Sequence, residues 1–153
     1  MALTIFLDTV PLGLITNPKQ PPITLLALTW AETMLLAGHH FIVPAVADYE
    51  VRRELERLGR VGGLAELNAW NDAHPDRYLP LSNSALRLAA RLWAQARNAG
   101  TPTADPKELD CDVLIAAQAL DMGFDPSEFI IATSNVGHLA LFVPAAEWQN
   151  ITP

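Results

Sequence analysis

Cysteine occurs once in this chain, at Cys111. A single thiol excludes an intramolecular disulfide, and no set of cysteines exists to build a zinc cluster. A reducing cytoplasm is the expected setting. Lysine is nearly missing, with Lys19 and Lys107 the whole supply, and the formal net charge is −7. Proteins that coat nucleic acid are normally basic, so any phosphate contact here has to be local or bridged by cations. No apolar run reaches the roughly 18 residues that cross a bilayer, so no membrane is expected as a partner. The opening MALTIFLDTV has no basic region and meets an acid at Asp8, which argues against a signal peptide. Internal repeats and low-complexity tracts are absent as well.

What remains is a hydrophobic chain of ordinary length. Half of the 153 residues are hydrophobic. That is enough for one well-filled core, and a single domain over residues 1–153 is expected. TIFLD (4–8) is a short apolar run that ends on an acid and reads as a buried strand. VPLGLITNPKQPP follows, rich in proline, and reads largely as loop with a helical turn near Leu12–Ile15. Residues 23–38 read as a helix closed by Gly38, and FIVP (41–44) as a second strand. Residues 45–59 form a helix with Val51, Leu55 and Leu58 on one stripe. Residues 62–75 and 82–100 read as further helices, with RYLPL between them as a strand. In residues 104–123, Asp105 caps a helix, Pro106 opens it, Glu108 completes a capping box and Gly123 ends it. FIIAT (129–133) is another buried strand, and the AEWQNITP tail offers a last short one. Strands that alternate with long helices, and that are apolar throughout, predict an α/β protein with a mostly parallel sheet covered on both faces.

In such sheets ligands bind beyond the carboxyl ends of the strands. Asp8 stands at one such end, where Thr9 is placed to orient it or a bound water. Glu50 lies at the margin of the stripe that contains Val51, and Glu54 follows one turn later. Asp112 shares a helix face with Ile115, Ala116 and Ala119. A carboxylate on a packed face needs a partner, because an unpaired buried charge is costly. The partners open to it are free backbone N–H groups or a cation. Asp110, two positions earlier, points about 200° away on a regular helix and is read as peripheral, with a supporting role through water left open. Cys111 is read as a packing residue, since no histidine is placed to activate it. Thr133, Ser134 and Asn135 follow the FIIAT strand as a polar turn, and His138 comes shortly after as a ligand, a phosphate contact or a helix-start residue. No second histidine stands at zinc-binding spacing. Acids at several element ends beside a polar turn suit a hard cation, Mg2+ or Mn2+. Such an ion would also let an acidic site approach phosphate. The cluster Arg52, Arg53, Arg57 and Arg60 is either a solvated face or a patch for phosphates or an acidic partner.

Taken in order, FLDT, YEVRREL, DVLIAAQAL and ATSNVGHL resemble a PIN domain, in particular the VapC-type toxin ribonucleases of bacterial toxin–antitoxin pairs. The resemblance spans nearly the whole chain. It implies a three-layer α/β/α sandwich with a central, mostly parallel sheet, and a Mg2+- or Mn2+-dependent ribonuclease. Asp8, Glu50 and Asp112 match the family's first three acids, and Thr133 its threonine. The fourth acidic position falls at Asn135, and Val10 stands where the family has Asn or Ser. The family also implies an RNA substrate, a cognate antitoxin and a homodimer. The alternative of a different class is a catalytically weak or inactive PIN-like domain that binds RNA or a protein partner. Val10 also stands where a haloacid-dehalogenase-type phosphatase needs its second aspartate. Lys107 precedes the wrong helix for a receiver domain, and no glycine-rich loop follows TIFLD for a nucleotide fold.

Overall fold

A computed structural model describes residues 2–100 and 106–153, with residues 106–108 described by backbone alone. Five strands form one sheet: β1 (Thr4–Leu7), β2 (His40–Pro44), β3 (Tyr78–Leu79), β4 (Phe129–Thr133) and β5 (Ala145–Glu147). Every pairing is parallel, and the strand order is β3-β2-β1-β4-β5. β1 is central. Its residues Ile5, Phe6 and Leu7 are 0% exposed, as continuous apolar strands covered on both faces must be. The order turns at β1, so the crevice for ligands lies at the carboxyl ends of β1 and β4.

Six helices complete the α/β/α sandwich: α1 (Thr9–Ile15), α2 (Pro22–Leu36), α3 (Ala45–Arg57), α4 (Val61–Asp72), α5 (Asn83–Asn98) and α6 (Pro106–Asp121). Aromatic rings fill much of one core, with Trp30 edge-on to both Phe41 and Trp148 and Phe41 edge-on to Trp70. A smaller cluster of Ala89, Ala96, Leu109, Val113 and Ala117 joins α5 to α6. Gly38 takes φ +89° after α2. There His39 N–H donates to Met34 O at 3.1 Å and Gly38 N–H to Leu35 O at 3.0 Å, the pairing of a Schellman stop. Among the described residues no helix is long and apolar enough to cross a membrane.

The segment after Asp8 departs from expectation. It reads largely as loop, yet Thr9–Ile15 is a full helix. Asp8 caps it by accepting the Thr9 N–H. Pro11 falls within the first turn, where an N–H has no helical partner in any case, so proline costs little there. Leu12 and Ile15 are buried and hold the helix down. Two smaller differences follow the same logic of packing. RYLPL yields only the two-residue β3, and Leu58 at the end of the α3 stripe is 51% exposed. Pro106 does open α6. The expected cap at Asp105 and the Glu108 half of the capping box lie outside the described side chains.

Candidate functional site

The site begins where β1 ends. Asp8 N–H donates to Ala132 O at 2.9 Å, continuing the β1–β4 ladder by one residue. The carboxylate is then held at both oxygens. Oδ1 accepts the Thr9 N–H at 2.7 Å, and Oδ2 accepts the Thr133 hydroxyl at 2.6 Å. Thr133 ends β4 and is 0% exposed. Its hydroxyl oxygen also accepts the Asn135 N–H at 3.1 Å.

Thr9 connects the first acid to the second. Its hydroxyl donates to Glu50 Oε1 at 2.9 Å, so one residue contacts Asp8 through its backbone and Glu50 through its side chain. α3 carries Glu50, and a buried network anchors that helix. Asp48, 5% exposed, accepts Arg52 at both oxygens (2.8 and 3.0 Å) and Asn71 Nδ2 at 2.8 Å. Sequence reasoning passed over Asp48, although the Asp48–Arg52 spacing of four is the signal of such a pair. The amino end of α3 has no side-chain cap of its own. There Gln118 of α6 accepts the Val46 N–H with Oε1 at 3.4 Å. Its Nε2 donates to Leu79 O and Pro80 O at 3.0 and 3.3 Å. One buried amide thus ties α6 to α3 and to the strand beside it.

α6 brings the third acid. Asp112 continues the stripe of Ile115, Ala116 and Ala119, all 0% exposed. Its Oδ2 lies 3.3 Å from His138 Nδ1. Burial, followed by the negative charge of Asp8, raises the Asp112 carboxyl from its ordinary value to about 6; the His138 ring opposes the shift, and Glu50 adds to it. The charges of Asp8 and Glu50 therefore both bear on Asp112 across a partly dry space. Cys111 lies beside them, half-buried, and burial together with the Glu50 charge pushes its thiol up to about 12. A thiol of that kind is no nucleophile at neutral pH.

The remaining candidates divide. Thr9 touches two of the three acids, and Thr133 and His138 one each. Asn135 meets Thr133 through its backbone, N–H and carbonyl both 3.1 Å from the hydroxyl; the residue is exposed, and its Oδ1 lies so near Gly137 that a Cβ there would meet it at 3.1 Å. Asp110 is exposed on the far side of α6, where it lines a recess with Leu86, Trp93 and Val113. Among the described residues no three His, Cys, Asp or Glu side chains already stand at ligand distance of a common point. The acids interact through their fields and through the threonines that hold them.

An apolar groove of about 820 Å3 opens directly beside Thr9 and Glu50. It runs between α1 and the α3–α4 corner, over Gly13, Leu14, Val51, Leu55 and Leu58. The exposure of Leu58 is explained by its place in this wall. Nothing in the hydrophobic pattern announces a groove, because the same stripe could equally have been fully covered.

No family model matches the chain, and no curated protein does. Solved structures do match. FitAcB from Neisseria gonorrhoeae superposes with a TM-score of 0.67 at 19% identity, covering 96% of this chain and 99% of that one. VapBC2 from Rickettsia felis, bound to a DNA fragment from their promoter, gives 0.67 at 14% identity, covering 95% and 99%. VapBC-1 from nontypeable Haemophilus influenzae gives 0.61 at 15% identity, covering 97% and 100%. Identities this low establish the fold, and the fold is the PIN-like α/β/α sandwich that the sequence resembles.

Proposed function

We propose that this chain is a divalent-metal-dependent ribonuclease, and that it serves as the toxin of a toxin–antitoxin pair. The observation that carries the reading is the mutual crowding of Asp8, Glu50 and Asp112 at the carboxyl edge of a parallel sheet. Asp112, whose proton is held more tightly by burial and by the charges of Asp8 and Glu50, forms with those two acids a donor set suited to a hard cation; among the described residues His138 and a more distant Arg53 are the basic side chains paired with them. Mg2+ and Mn2+ keep several waters, so carboxylates that do not touch a common point still suffice. Such an ion supplies Lewis acidity and activates water for attack on an RNA phosphodiester.

The chain's own residues do the positioning. Thr133 and the Thr9 N–H fix both oxygens of Asp8, and the Thr9 hydroxyl fixes Glu50. Asp112 has to be ionised to act as a ligand, and His138 Nδ1 lies 3.3 Å from its Oδ2. Cytoplasmic action on RNA, a homodimer and an antitoxin partner belong to the same reading. The antitoxin partner is supported by the likeness to complexes whose names pair two proteins, FitAB and VapBC-1.

The test has two arms. Calorimetric titration with Mn2+ is expected to show binding that Asp8→Asn weakens at least about tenfold, because one of few charged ligands is gone. RNA cleavage is expected to require Mn2+ or Mg2+, to stop on chelation and to vanish in Asp112→Asn. If wild type and Asp112→Asn cut a broad RNA panel equally, the catalytic reading fails. The reading of a PIN-like domain that binds without cutting has one observation in its favour, the exposed Asn135 where a fourth acid would stand. It gains if RNA binds and no metal condition produces cleavage.

A further inference from the structure

α3 carries three arginines, and two are clamped. Arg52 is held by both oxygens of Asp48 and also donates to Asn68 at 2.9 Å. Arg57 grips Glu54 at 2.7 Å. Arg53 is different. Its nearest carboxylate oxygen is Glu50 Oε2 at 3.9 Å, beyond hydrogen-bond reach, and its side chain is 51% exposed. Instead its guanidinium lies over the ring of Tyr49, 5.3 Å from the centroid. Tyr49 is itself 60% exposed, on a helix that buries Val46, Ala47, Asp48 and Val51.

Helical spacing places this pair relative to the acids. Tyr49 directly precedes Glu50, and Arg53 lies one turn beyond Tyr49. Both sit on the flank of Glu50 away from Val51 and Leu55, which line the apolar groove. Arg53 and Glu50 both act on the Cys111 thiol of α6, so the pair borders the gap between α3 and the amino end of α6. The acid site thus has two unlike margins. One is the apolar groove. The other is an exposed aromatic ring with an unclamped cation on it.

We propose that Tyr49 and Arg53 form a binding subsite for one nucleotide of a single-stranded RNA, the ring stacking an unpaired base and the guanidinium meeting the adjoining phosphate. This rests on the ribonuclease reading above. The chemistry fits a strand better than a protein surface. A chain of net charge −7 can meet phosphate only at a local cation, and Arg53 is the α3 arginine beside the acids that no described carboxylate holds within hydrogen-bond distance. Stacking on an aromatic ring next to an arginine is sequence-tolerant and needs an unpaired base, since a base in a duplex offers no free face. The subsite therefore selects single-stranded over double-stranded RNA.

The experiment measures binding of a labelled, unstructured oligoribonucleotide by fluorescence anisotropy, in the Asp112→Asn background so that the probe survives. Tyr49→Ala is expected to weaken binding about tenfold, as loss of one stacked base does. Tyr49→Phe keeps the ring and should stay within about twofold of its parent. Arg53→Ala should lower the salt-dependence slope by about 0.7, the value for one contact to a single strand. In the otherwise wild-type chain, Tyr49→Ala should raise KM for cleavage and leave kcat nearly unchanged. If Tyr49→Ala and Arg53→Ala bind and cleave like their parents while Asp112→Asn abolishes cleavage, the subsite is refuted and the ribonuclease reading stands. If RNA affinity is unchanged and the variants instead lose a protein partner, the pair is a protein contact and the inference is equally overturned. If the parent neither binds RNA nor cuts it with Mn2+, both fall together.

Discussion

The Thr133 hydroxyl lies 2.6 Å from Asp8 Oδ2, across a sequence separation of 125 residues. The bond joins the end of β4 to the end of β1, and it sets the rotamer of the carboxylate nearest the sheet. A buried hydroxyl that serves an acid in this way is replaceable in shape by valine but not in chemistry.

Thr133→Val is therefore expected to destabilise the protein by about 2 kcal/mol, the scale for removing a hydrogen bond to a charged group. Urea denaturation reads this directly. RNA cleavage should fall further than stability alone explains, since the folded fraction stays near unity while Asp8 loses its orientation. Unchanged stability and unchanged cleavage together would show that the bond contributes nothing.

A second prediction concerns pH. Asp112 in the folded chain holds its proton up to about 6, above the ordinary aspartate value that applies when the chain unfolds. Between those two values the folded state binds more protons than the unfolded state. Its stability in the absence of metal should then fall as pH rises through that window. Asp112→Asn should flatten this part of the profile, as followed by thermal unfolding in chelator. Mn2+ competes with the same proton, so its apparent affinity should climb over the same interval. A metal affinity independent of pH from 5 to 7 contradicts the assignment of Asp112 as a ligand.

Much of this arrangement is legible in the sequence, and the reasons are specific. Continuous apolar runs, stopping on Asp8, on Pro44 and on the Thr133–Asn135 turn, mark the central strands, and the 100° step per residue separates Asp112 from Asp110. The structure places Asp110 on the outer side, facing α5. α1 is hidden by its proline, whose cost depends on its exact position within the first turn. The Tyr49–Arg53 pair is hidden for another reason. Its character comes from which arginines are engaged: the spacings allow Asp48–Arg52, Glu54–Arg57, Glu50–Arg53 and Tyr49–Arg53 alike, and the sequence does not say which of them form closely. The groove is illegible because an uncovered stripe and a covered one share the same residues.

Asn135→Asp supplies the acid that the fourth position lacks. The side chain is exposed, so the substitution adds charge without burying it. Mn2+ affinity is expected to rise several-fold, since each added carboxylate strengthens a hard-cation site. Titration calorimetry of the variant against wild type checks this. No gain in affinity would place Asn135 outside the ligand sphere.

Gln118 offers a structural prediction independent of catalysis. It is 1% exposed and joins three backbone groups through one amide. Gln118→Leu keeps the volume and leaves the buried Val46 N–H without this acceptor and the partly buried Leu79 carbonyl without this donor, at an expected loss of about 1–3 kcal/mol. Chemical denaturation gives the value. A loss well below 1 kcal/mol would mean that water replaces the amide.

The order in which the acids occur along the chain has a consequence for synthesis. Asp8 and Glu50 emerge from the ribosome early, while Asp112 and Thr133 come late, and the bond between β1 and β4 forms only after nearly the whole fold is made. Chains broken off before α6 carry two of the three acids. Those broken off after α6 but before β4 carry all three yet lack the Thr133 hydroxyl that orients Asp8, so a stalled product holds no complete acid site.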